Sequence, residues 1–163
     1  SGFVTVDYDT VANTLLINAN WSGLSGTTTV AHIHCCTAAP GTGTVGVAVT
    51  PVTLPGFPVG VSAGSYTSPL LDLDDPTTFT AGFITNFAGG VAADADDALI
   101  AGIDADLAYF NVHSSTFQGG EIRGFLQQIP EPATLALLAF GLAGLGFASR
   151  RNEKPRHMVG MEV

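Results

Sequence analysis

The sequence predicts a mainly β fold: an antiparallel, Greek-key-like β-sandwich or barrel with one or two short helices, followed by a separate hydrophobic C-terminal helix. Three observations carry this reading. Apolar and polar residues alternate in several short runs, the period of a strand with one buried face. Twenty glycines and nine prolines punctuate the chain, which suits many short strands joined by turns better than long helices. The charges also divide the chain in two. Residues 1–128 carry eleven acids against one base, Arg123, a formal −10; residues 129–163 carry four bases against three acids, a formal +1.

The elements follow in order. Residues 3–8 (FVTVDY) alternate cleanly and 14–20 (TLLINAN) less so; Asp9 to Asn13 between them supplies a turn, so the two runs read as a hairpin. Residues 27–36 (TTTVAHIHCC) form a third strand and 44–50 (TVGVAVT) a fourth. A loop rich in Pro and Gly covers 51–60, and 65–71 is a fifth strand. Asp75-Pro76 opens a helix, because Asp caps and Pro fits the first turn; it runs to about Phe87 and stops at Gly89-Gly90. A second short helix occupies 94–103. Residues 107–113 and 121–128 close the domain as a hairpin. There is no internal repeat.

Composition excludes two classes. A nucleic-acid partner needs clustered Lys and Arg to displace counterions, and a net charge of −9 with pI ≈ 4.4 offers the opposite. Disorder pairs high charge with low hydrophobicity, whereas here charged residues are 12%, hydrophobic ones 46%, and mean hydropathy is +0.37.

The tail reads differently. Residues 133–148 (ATLALLAFGLAGLGFA) carry no charge, and Thr134 is the only polar side chain. As a helix they would span roughly 24 Å, short for a hydrocarbon core of about 30 Å. Arg150 and Arg151 follow at once, then Lys154 and Arg156, which favours a cytoplasmic C-terminus and a domain held outside the membrane. Pro130-Glu131-Pro132 stands just before the apolar run. This order of Pro-Glu-Pro, short apolar helix and Arg-rich end resembles a PEP-CTERM sorting signal. The resemblance implies an exported protein of a Gram-negative bacterium, held briefly in the inner membrane by residues 133–148, then recognised by an exosortase and cleaved near the motif. Residues 152–163 run further past the arginines than that pattern usually does. A plain membrane anchor is the alternative. The chain starts at Ser1 with neither Met nor a signal-peptide pattern, so the expectation is a fragment or processed form, and the export argument rests on the tail.

Histidines carry the chemistry. His32 and His34 lie two apart on a strand and project from one face, with Cys36 beside them if the strand continues. Tyr109, Asn111 and His113 likewise share a face. If the two strands are neighbours, three imidazoles converge, a donor set suited to Cu or Zn, and Asn111 or Glu121 can orient a ring from behind. The alternative is a polar patch in which the histidines bond one another, Glu121 and backbone groups. Arg123 pairs with Glu121 or bonds loop carbonyls. Cys35-Cys36 are the only cysteines. Adjacent side chains diverge on a regular strand, so the expectation is one thiol in the core and one toward the histidines rather than a disulfide. The clusters Asp72/Asp74/Asp75, Asp94/Asp96/Asp97 and Asp104/Asp106 match no calcium loop, lacking the EF-hand glycine and terminal glutamate, and read as helix caps and a solvated acidic surface.

Three motifs then make a family visible: Ala31-His32-Ile33-His34, Leu107–His113 (LAYFNVH) and Gly120–Gly124 (GEIRG). Together they resemble the CHRD domain, over residues 3–128. The resemblance implies a β-sandwich of about this length and no defined activity; adjacent cysteines also fit the CHRD proteins with PEP-CTERM tails. An HxH strand in a sandwich is similar to that of copper-zinc superoxide dismutase, but a paired-metal site needs more ligands than three histidines supply, so only a single-metal site stays open. No nucleophile elbow, phosphate loop or dinucleotide fingerprint is present. The expected function is therefore a non-enzymatic protein of the outer surface or extracellular matrix, meeting extracellular polysaccharide or copies of itself. Metal binding on His32, His34 and His113 is the second reading, and a redox enzyme on that site the third.

Overall fold

Leu15, Ile17, Ala19 and Trp21 are buried at alternate positions of one strand, which makes it the centre of a sheet with its inner face against the core. The computed structural model describes residues 1–129. Strand β2 (Thr14–Trp21) pairs antiparallel along its whole length with β1 (Gly2–Asp9). On its other side it pairs with β5 (Gly64–Thr67) and β6 (Leu71–Asp72). The β1–β2 turn forms because the Asp9 carboxylate accepts from the backbone N–H groups of Val11 and Ala12 at 2.8 and 2.9 Å.

A second four-stranded antiparallel sheet has the order β4-β3-β7-β8, with β3 Thr28–His34, β4 Val47–Val49, β7 Tyr109–Ser114 and β8 Ile122–Phe125. Ala31 and Ile33 of β3 and Phe110 and Val112 of β7 join Leu15, Ile17 and Trp21 in one hydrophobic core. Helices α1 (Ala81–Phe87) and α2 (Ala95–Asp104) add Phe83, Ala95 and Leu99 to it. The mainly β class with two short helices is therefore what the described residues adopt.

Several boundaries differ from the sequence reading. The fifth strand splits into β5 and β6 because Pro69, lacking an N–H, stands between them. The helix expected over 76–87 is two pieces. Asp75 caps a single 3-10 turn, Pro76–Thr78, and Thr80 starts α1 with its hydroxyl accepting from the Phe83 N–H at 3.2 Å. Strand β3 ends at His34, two residues early, and the chain leaves the sheet at Cys35. The hydrophobic helix expected over 133–148, the Pro130-Glu131-Pro132 motif and Arg150 and Arg151 lie outside the described residues.

Candidate metal centre

Strand parity builds the site. Ala31 and Ile33 face the core, so His32 and His34 face away from it; Phe110 and Val112 face the core, so Tyr109, Asn111 and His113 face away. Register then does the rest. Strands β3 and β7 are direct neighbours, with His32 opposite Asn111, His34 opposite Tyr109 and Val30 opposite His113. One ring nitrogen from each of His32, His34 and His113 lies within 4.8 Å of the other two. Loops cover this outer face: His32 and His34 are buried, and His113 is half-buried.

Each ring is fixed from behind by a loop carbonyl. The Nε2–H of His32 donates to the Val52 carbonyl and the Nδ1–H of His34 to the Val45 carbonyl, both at 2.8 Å. The Nδ1–H of His113 donates to the Gln118 carbonyl at 2.7 Å. Those bonds fix the tautomers and leave His32 Nδ1, His34 Nε2 and His113 Nε2 as bases. Two of them, His32 Nδ1 and His34 Nε2, are buried with no hydrogen-bond partner among the described residues. His113 Nε2 accepts from Asn111 Nδ2 at 3.1 Å. Burial is the main force lowering the pKa values of His32 and His34, partly opposed by their carbonyl bonds. Both therefore stay neutral below the ordinary histidine range, in the form a metal needs.

The donor set fits a transition metal. Three neutral imidazoles, each with its second nitrogen tied to a carbonyl, match Zn(II) or Cu(II), whose bonds of about 2.0–2.1 Å would draw the rings somewhat closer. The Tyr109 ring stacks on His34 at 4.7 Å with planes 5° apart, which restricts the swing of that ring.

Two expectations about the surroundings need correction. Cys36 does not join the histidines. It forms a disulfide with Cys35, the Cα atoms 3.0 Å apart across a cis peptide bond, and its sulfur lies 4.0 Å from the Ala98 carbonyl of α2. The physical reason is the early end of β3: strand parity no longer governs the two side chains. Nor does Glu121 orient an imidazole. It accepts from the Ser25 N–H at 2.6 Å, the Ser25 hydroxyl at 2.8 Å and the Gly26 N–H at 3.4 Å, so it clamps a loop. Arg123 takes the second of its two expected roles and bonds a loop carbonyl: it donates to the Gly43 carbonyl at 3.0 Å, with its guanidinium 5.4 Å from the Tyr109 ring centre. Of the acids, Asp74 and Asp96 share the Asn13 amide and Asp104 accepts from Gln128.

The Glu121 clamp has a measurable consequence. Hydrogen bonds from the Ser114 hydroxyl and from Ser25 and Gly26 hold its carboxyl down to about 2, against an ordinary 4.5. Its stabilising effect is complete above pH 4.5 and disappears as pH falls through about 2. Glu121→Gln should therefore lower the thermal midpoint at pH 7 and leave it nearly unchanged at pH 2. An equal loss at both pH values would mean that the charge is irrelevant to the clamp.

Two antiparallel sheets with an imidazole cluster on one outer face define a β-sandwich domain with a candidate metal centre. The model of the CHRD domain matches residues 1–126, and the chain belongs to that family. The PEP-CTERM protein-sorting motif matches residues 128–151, which implies export and processing by an exosortase at the membrane. No curated protein and no solved structure matches the chain.

Proposed function

We propose that the chain is a non-enzymatic, exported metal-binding protein, delivered to the outer surface or extracellular polymer and holding one Cu or Zn ion on His32, His34 and His113. The observation that carries this reading is the pair of buried, unprotonated nitrogens, His32 Nδ1 and His34 Nε2, beside His113 and without hydrogen-bond partners among the described residues. A polar patch that merely satisfied itself would not leave two such acceptors bare, since a buried unpaired group costs about 1–3 kcal/mol. A bound cation turns that cost into coordination. With three protein ligands, the ion keeps a position for water or a small ligand. Around it, the acidic surface of residues 1–128 keeps the domain soluble among extracellular polysaccharide and further copies of the chain.

The test is metal analysis of protein purified without a polyhistidine tag and supplied with Cu(II) and Zn(II). About one ion per chain is expected. Less than about 0.1 per chain would return the histidines to a purely structural role.

A further inference from the structure

The three ligand nitrogens are not equivalent. Those of His32 and His34 are bare, whereas the lone pair of His113 Nε2 already accepts a hydrogen bond from Asn111 Nδ2 at 3.1 Å. A lone pair serves one partner at a time. An ion about 2.0–2.1 Å from Nε2 would need the space and the electrons that the amide N–H now takes. The Asn111 side chain is itself firmly seated. It is buried, its Nδ2 also donates to the Gly119 carbonyl at 3.3 Å, and it lies directly against the α-carbon of Gly120. Gly120 has φ +114°, and a side chain there would run into the Asn111 amide. His113 does not depend on that amide for its orientation, because its Nδ1–H is held separately by the Gln118 carbonyl at 2.7 Å.

We propose that Asn111 is an internal competitor for the third ligand: its amide occupies His113 Nε2 in the metal-free domain, and a divalent transition-metal ion must displace it to bind. This rests on the three-histidine reading and adds how that site is regulated. Both halves of the exchange involve the β7–β8 loop. Gln118 presents His113 to the ion, and Gly119 and Gly120 hold the amide that opposes it. The competitor sets affinity rather than providing a ligand. The Oδ1 atom cannot simply replace Nδ2 at the site, because an amide flip would turn that oxygen toward the Gly119 carbonyl, acceptor against acceptor.

The expected effect has an unusual sign. Removing the amide should tighten metal binding by about tenfold, the weight of one net hydrogen bond. The experiment uses the full chain in mild detergent, untagged, with Zn(II) titrated against a chromophoric chelator. Wild type is compared with Asn111→Ala, Asn111→Val, which keeps strand propensity, and His113→Ala. Tighter binding in both Asn111 variants supports the proposal, and a damaged fold cannot produce it. Zn(II) uptake that appears only after Asn111 is removed also supports it. Unchanged or weaker binding in the Asn111 variants, with wild type binding through His113, would overturn the competitor and leave the metal site standing. Binding in none of the proteins, or equal binding in His113→Ala and wild type, overturns both.

Discussion

Zn(II) in excess is expected to raise the thermal midpoint of the protein by about 10 °C, and His113→Ala to abolish the rise. The magnitude follows from linkage. A ligand that binds only the folded state at 100 times its Kd stabilises by about 2.7 kcal/mol. A domain of this size shifts by roughly 3–5 °C per kcal/mol, between the values for smaller and larger domains. His113 is the better ligand to remove because it is the least buried of the three. Replacing His34 would also remove the shorter of the two hydrogen bonds to the Val45 carbonyl, the other coming from the Tyr109 hydroxyl, and would take the stacked ring from Tyr109, which lowers the midpoint for reasons unrelated to metal. Outer partners of a metal site alone control 10–100-fold in affinity, so loss of a direct ligand should leave no measurable shift at the same Zn(II) concentration. A rise of equal size in His113→Ala would place the ion elsewhere, for example among the surface acids.

The site was readable to the extent that parity rules it. His32 and His34 two apart, and Tyr109, Asn111 and His113 in alternation, determine which side chains share a face. They do not determine that β3 and β7 are neighbours, since the pairing joins strands separated by nearly half of the chain. The carbonyls of Val45, Val52 and Gln118 were invisible in the sequence for a different reason. Every residue has a carbonyl, so no side-chain type marks the three that fix the rings. Cys36 departs from its expected place because strand parity ends with β3 at His34. Pro69, with no N–H to give a ladder, marks the break between β5 and β6 in the sequence itself. Strand β2, where the alternation is the less clean of the two hairpin runs, nonetheless buries Leu15, Ile17 and Ala19 on one face and extends it by one residue to Trp21.

Gly102→Ala is expected to destabilise the protein by about 1–3 kcal/mol, the usual cost of forcing a methyl group into a filled core. The sign is the informative part. In an open helix interior the same substitution stabilises by about 1 kcal/mol, because alanine is the better helix former. Gly102 is a buried residue of α2, and a β-carbon there would collide with the sulfurs of both Cys35 and Cys36. Neither sulfur can rotate aside, since each is bonded to the other. Relief therefore has to come from a shift of α2, which carries the buried Ala95 and Leu99, or of the chain just after His34. Urea unfolding of the single variant and of Gly102→Ala combined with Cys35→Ala and Cys36→Ala separates the causes. In the triple variant the methyl group enters space the sulfurs have left, so the penalty of Gly102→Ala should vanish or reverse relative to the cysteine-free parent. A stabilising Gly102→Ala in the wild-type background would show that the disulfide does not pack against this face of α2. A penalty undiminished without the sulfurs would assign it to some other contact of the helix.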